Sequence, residues 1–177
     1  TVLATVEANA LYDVAIAAGE GALARHEIHA SLTQRMARVR LTALSLLNGA
    51  QHGDVTAVVE HAVRDGQSDL VFKSVLADKA RSVAQGRILV RLGADGTDSK
   101  QSTRALLLSK GAEADAKPEL EIYADDVKCA HGCTVGELDK AALFYLQSRG
   151  IARVEAEALL TRAFVADALA VLPEGEL

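Results

Sequence analysis

The chain has 177 residues, a net charge of −5 and 24% charged against 50% hydrophobic residues. That is the composition of a folded globular protein, and its acidic balance argues against a nucleic-acid partner, which asks for a basic face. Three Tyr, three Phe and no Trp are too few for a sugar-stacking or base-stacking groove, and two cysteines make no disulfide framework.

A reducing, cytoplasmic setting fits that cysteine usage. No apolar run approaches the roughly 18–20 residues of a membrane span, and no signal peptide is visible. The chain starts at Thr1 without a methionine, so the expectation is a piece of a longer protein whose N-terminal region is missing.

Residues 1–50 alternate weakly, through Val2, Leu3 and Val6, then Val14 and Ile16. Gly19-Glu20-Gly21-Ala22 is a turn signal. Leu23, Arg25, Glu27 and His29 interleave with Ala24, His26, Ile28 and Ala30, which reads as strand, and Val39 to Leu44 follows. Asn48-Gly49 is a strong turn. Residues 54–64 and 69–77 are β-rich, with helix a real alternative for the second. Residues 86–92 make a short strand, 92–96 a turn, 105–109 an apolar run and 110–113 another turn.

Short strands thus recur with glycine-containing turns, and no tandem βαβ pattern appears. Two all-β readings survive: a sandwich, or a solenoid of parallel coils. Gly21-Ala22-Leu23, Gly93-Ala94-Asp95 and Gly111-Ala112-Glu113 hint at a repeated corner, and hence at the solenoid.

Leu120, Ile122 and Ala124 alternate with Glu119, Glu121 and Tyr123, so Leu120 and Ile122 should face a core and the glutamates water. Asp125-Asp126 reads as a turn; on a strand adjacent carboxylates point to opposite faces. From Val127 a second run spaces Cys129, His131 and Cys133 two apart, so an extended strand projects all three from one face. Same-face neighbours lie about 6.6 Å apart and the two cysteines about 13 Å. A disulfide needs Cα atoms within about 7 Å, and one tetrahedral metal with bonds of about 2.0–2.3 Å cannot take all three. Metal binding here requires one or two of them plus ligands from a neighbouring strand or a second chain.

Helix pattern takes over at Leu138. Asp139 is the expected N-cap, Leu138 and Leu143 form a staple pair, and Gly150 is a C′ glycine after Arg149. This predicts a helix over 140–149. A second runs over 153–171, stopped by Pro173, with Ala152 where a capping residue would stand. Both helices are apolar on more than one side, so both faces need cover: by each other, by the open coil, by a missing segment, or by a docking partner. No phosphate-binding G-x-x-x-x-G-K-[ST] loop and no G-x-S-x-G elbow is present.

A long, nearly gapless resemblance rests on these residues. Lys117-Pro118, Leu120-Glu121-Ile122, Ala124 through Cys129, His131-Gly132, Thr134-Val135-Gly136, Leu138-Asp139, Leu143 through Leu146 and Ser148 through Ile151 resemble the SufB/SufD family, the scaffold subunits of SUF iron–sulfur cluster assembly, and within it the SufD branch. It extends upstream through Gly86-Arg87-Ile88, Thr97 through Gln101 and Leu106 through Ser109, covering roughly the whole chain and most strongly from Lys79 onward.

The resemblance implies a right-handed parallel β-helix core over 1–136, followed by an α appendage, an ATPase-docking helical segment, over 137–177. It implies a non-catalytic scaffold that pairs with a SufB-like subunit and docks a SufC-like ABC ATPase. It implies no cofactor in the isolated chain and iron or an iron–sulfur cluster held transiently at the subunit interface. His131 matches the family's C-x-H-G histidine and is the preferred metal residue. Cys129 also matches. Cys133 stands where relatives usually carry a small residue, and receives no metal role. Phe144, Tyr145 and Arg149 are the expected partner-binding residues. An edge that normally meets SufB presents open backbone groups, which predicts a homodimer in isolation. The alternatives are a stand-alone metal-binding β-helix protein using Cys129, His131 and Cys133, or a β-helix carbohydrate-active enzyme. The scarcity of aromatics and of grouped carboxylates counts against the second.

Overall fold

In a computed structural model, which describes residues 1–19 and 21–171, ten strands precede two helices. Leu172 and Pro173, expected to end the second helix, and Glu20 of the first turn lie outside the described residues. The strands are β1 Val2–Val6, β2 Leu11–Ala18, β3 Leu23–Leu32, β4 Arg38–Leu47, β5 His52–His61, β6 Gln67–Leu76, β7 Arg81–Val90, β8 Asp98–Leu107, β9 Glu113–Ile122 and β10 Lys128–Gly136.

Odd and even strands separate into two five-stranded sheets, ordered β1-β3-β5-β7-β9 and β10-β8-β6-β4-β2. Every pairing is parallel: Leu23 lies beside His52, His52 beside Arg81, and Arg38 beside Gln67. The chain therefore climbs by one coil of roughly 30 residues at a time, inside the range of solenoid repeats. Of the two all-β readings the solenoid is correct. Consecutive strands alternate between sheets and never form hairpins, so Asn48-Gly49 makes a corner, not a hairpin turn.

The core fills the lumen between the sheets. Ile28, Leu32, Leu41, Val55, Val59, Leu70, Phe72 and Ile88 point inward and are buried. The corners are only partly glycine. Gly49, Gly93 and Gly96 take positive φ, but so do Asn9, Met36, Asp65 and Asp78. Asn and Asp tolerate this left-handed region better than other side chains. A search for repeated glycines therefore finds some corners and misses others.

Two strand boundaries differ from expectation. Strand β7 begins at Arg81 rather than 86, and β8 at Asp98 rather than 105. Their inward residues are Ser82, Ala84 and Gly86, then Ser99, Gln101 and Thr103, so no apolar alternation marks them. Ile122 is a correction of another kind. It pairs with the buried Val90 and faces the same way, yet it is exposed, because β9 belongs to the last coil and nothing among the described residues covers it there.

Helix α1 spans Lys140–Ser148 and α2 Arg153–Leu169. Asp139 caps α1 as expected, its carboxylate accepting from Ala141 N at 2.8 Å and Ala142 N at 3.3 Å. Gly150, at φ 87°, closes the far end. Asp139→Ala is expected to cost about 1 kcal/mol; urea denaturation of the two proteins measures it. Ala152 offers no side-chain cap to α2; Glu155 in the first turn favours the positive end of the helix dipole.

The chain's own cover for the helices is not a cap over the open coil. Helix α2 lies across the outer face of the even sheet, where Val165 and Ala168 pack with Leu44, Val75 and Leu106. Lys73 of β6 is the clasp. It is 5% exposed, donates to Phe164 O at 2.6 Å, bonds the Asp167 carboxylate and lies 5.1 Å from the Phe164 ring centre. No helix among the described residues is long and apolar enough to cross a membrane.

Candidate functional site

The last coil is where the solenoid ends and its lumen opens. Strands β9 and β10 are the outermost strands of their sheets, so each carries a row of backbone groups without a neighbouring strand. Strand β10 is extended over Lys128–Gly136, and the register sets Cys129 beside Ser99, His131 beside Gln101 and Cys133 beside Thr103. Ser99, Gln101 and Thr103 face the lumen and are buried. Cys129, His131 and Cys133 thus share the inward face, at the mouth.

They are not equivalent there. Cys129 is half-buried and packs against the core. Burial pushes its thiol pKa up, and the Asp98 charge pushes it further, against a hydrogen bond from the Ser99 backbone. A thiol held protonated is a weak ligand and nucleophile. His131 and Cys133 are exposed. Both cysteines are free, as the spacing requires. Among the described residues no group of three or more His, Cys, Asp or Glu is arranged to hold a metal.

Around the mouth lie Ile122, Tyr123 and Val135, all exposed. Sequence reasoning did not select them as a surface: alternation assigns Ile122 inward, and Tyr123 and Val135 carry no local signal of exposure. Their exposure follows from the coil being last, which no local pattern announces.

Phe144, Tyr145 and Arg149 sit apart from the mouth, on α1. That helix buries no residue; Phe144 is 73% and Tyr145 56% exposed. The Arg149 guanidinium lies 5.0 Å from the Tyr145 ring centre. Val154 and Leu159 of α2 are exposed as well. The two expected sites are thus separate: a polar mouth carrying His131, and an apolar helical hairpin. Asp125-Asp126 lies in an exposed bend, without a paired-carboxylate geometry.

Comparison with known proteins bears on both. The family model described as "SUF system FeS cluster assembly, SufBD core domain" matches residues 1–164. The chain is 39% identical over 147 residues to the iron-sulfur cluster assembly protein SufD of Escherichia coli (strain K12), a match covering 83% of this chain and 35% of that protein. It is 34% identical over 155 residues to an iron-sulfur cluster assembly SufBD family protein of Synechocystis, covering 88% and 34%. It is 35% identical over 125 residues to the SufD of Bacillus subtilis (strain 168), covering 71% and 29%. The chain spans about a third of the length of these relatives.

Proposed function

Because the chain belongs to the SufBD core family of the SUF iron–sulfur cluster assembly system, as a SufD-type member, we propose that it is a non-catalytic scaffold subunit that presents His131 to a partner subunit across the open end of its solenoid. One observation carries this reading: His131 stands at the mouth of an uncovered last coil, on an edge strand, with too few ligands of its own for a metal. An incomplete site beside an unpaired strand is what two-subunit assembly requires. The partner is a SufB-like subunit that supplies the remaining ligands, and iron and sulfide are the cargo.

The imidazole contributes one neutral nitrogen to iron and keeps the other for a hydrogen bond that sets its orientation. Cys129, half-buried against the core beside His131, is the second candidate ligand, and it gives up its proton when it binds. The α1–α2 hairpin is the docking surface for a SufC-like ABC ATPase, through Phe144, Tyr145 and Arg149, and the assembly works in the cytoplasm. The clasp of Lys73 to Asp167 and Phe164 ties that surface to the solenoid.

The deciding experiment substitutes His131→Ala in the full-length protein within its complex. The variant is expected to melt with the parent, because the side chain is exposed, and to build cluster at least about tenfold more slowly, the scale on which metal-site residues act. Cluster formation at the parental rate would remove His131 from the site. A drop in melting temperature that tracks the lost activity would make its role structural.

A further inference from the structure

We propose that Gln101 is a positioning residue for His131, orienting the imidazole at the lumen mouth; the inference rests on the reading of His131 given above.

The inward column through His131 runs Leu41, Leu70, Gln101, His131, each beside the next in register. The first two are fully buried leucines. Polarity begins only at the coil directly beneath the histidine. Gln101 is 3% exposed, and neither its Oε1 nor its Nε2 makes a hydrogen bond among the described residues. A buried amide without partners weakens a fold. The neighbouring polar column behaves differently: Ser99 bonds Ser68 at 2.6 Å, and Ser68 bonds His61 Nε2 at 2.9 Å. Those hydroxyls and the His61 Nε2 satisfy one another, and only His61 Nδ1 is left over. Gln101 has hydrogen-bonding capacity left over, and its backbone runs one strand spacing, about 4.8 Å, from that of His131.

Space has been made for it. Gly86, on the facing sheet, shows no positive φ, so its backbone does not require glycine. A methyl group there would fall 2.6 Å from Gln101 Oε1. The missing side chain is the room the amide occupies. Thr103, one step along β8 and beneath Cys133, is 4% exposed with an unpartnered hydroxyl, so the polar floor extends under the whole mouth.

The chemistry follows from the amide's two ends. Its oxygen accepts from a ring N–H and its NH₂ donates to a bare ring nitrogen, directly or through one water. Either choice selects one tautomer and leaves the other nitrogen facing out of the mouth, as the second hydrogen bond of a metal-binding histidine does.

Gln101→Leu in the full-length protein tests this with three readouts. Melting temperature is expected to stay within about 4 °C of the parent, since one net hydrogen bond to an exposed ring is all that is lost. The His131 tautomer ratio, read from ring ¹⁵N shifts, is expected to move about fivefold, the population ratio that one net hydrogen bond sets. Cluster formation by the complex is expected to slow about tenfold, and the same change in a His131→Ala background is expected to add nothing. Gly86→Ala, which displaces the amide and leaves it in the chain, is expected to reproduce the tautomer shift. An unchanged tautomer ratio in both variants overturns the proposal, and so does a Gln101→Leu protein that melts well below the parent. Should His131→Ala alone leave cluster formation untouched, the reading of His131 falls, and the tautomer ratio by itself decides whether Gln101 orients the ring.

Discussion

Acidification from pH 7 to pH 4 is expected to cost the fold about 3 kcal/mol through His61 alone. This residue ends β5 and is fully buried. Its Nε2 meets Ser68 Oγ at 2.9 Å, and its Nδ1 has no partner in the protein. Burial lowers its pKa from the ordinary 6.5 to about 4, because a charged imidazole in the lumen loses its water. The folded value lies below the unfolded one, so the unfolded chain takes up the proton first. Stability is therefore complete above about pH 6.5 and falls as the pH drops to about 4, by about 2 kcal/mol at pH 5. Below that both states carry the proton and this loss ends.

Carboxylates act in a lower window. Asp167, held down by its bond to Lys73, and Glu60, held down by Arg91, lose their contribution only as the pH falls through the usual carboxylate range. Urea denaturation at pH 7, 6, 5 and 4 separates the two. In a His61→Leu protein the slope between pH 6.5 and 4.5 is expected to flatten, leaving only the carboxylate loss. Equal slopes in both proteins would show that the acid sensitivity lies elsewhere.

His61 also shows where sequence reading reaches its limit. Its position carries no pattern, and only the fold, which brings the end of β5 in one sheet against Ser68 at the start of β6 in the other, turns it into a buried group. The same holds across the fold. Asp139 and Gly150 were legible because a helix end is written within four residues. The Cys129, His131 and Cys133 face was legible because β alternation is local, and its spacing already argued against a disulfide and against one metal taking all three. The coil repeat was not legible. Its corners use Asn9, Met36, Asp65 and Asp78 as well as glycine, and the inward residues of β7 and β8 are small or polar. Nothing local reports that Lys73, exposed by every compositional expectation, is roofed by a helix 91 residues further on. The resemblance supplied the solenoid; composition and spacing left it level with a sandwich.

Replacing Phe144 or Tyr145 by Ala is expected to weaken the proposed ATPase contact about thirtyfold each, the factor that about 2 kcal/mol of hot-spot energy sets. Among the described residues no side chain of α1 is fully buried and Phe144 and Tyr145 are exposed, so these aromatic side chains add little stability and leave an apolar face in water. Arg149 extends that face by stacking on Tyr145, an arrangement suited to an interface anchor. Removing residues 137–177 altogether would be a poorer test. Helix α2 covers Leu44, Val75 and Leu106, and stripping it would expose an apolar stripe on the even sheet that drives aggregation whatever the partner does. The point substitutions avoid this, because the Lys73 clasp and the buried face of α2 remain. Size-exclusion chromatography and calorimetry with the ATPase from the same organism give the result. Parental melting temperature with lost co-elution would place the docking surface on α1. Undiminished affinity in the double variant would move it to the exposed Val154 and Leu159 face of α2 or off the hairpin entirely.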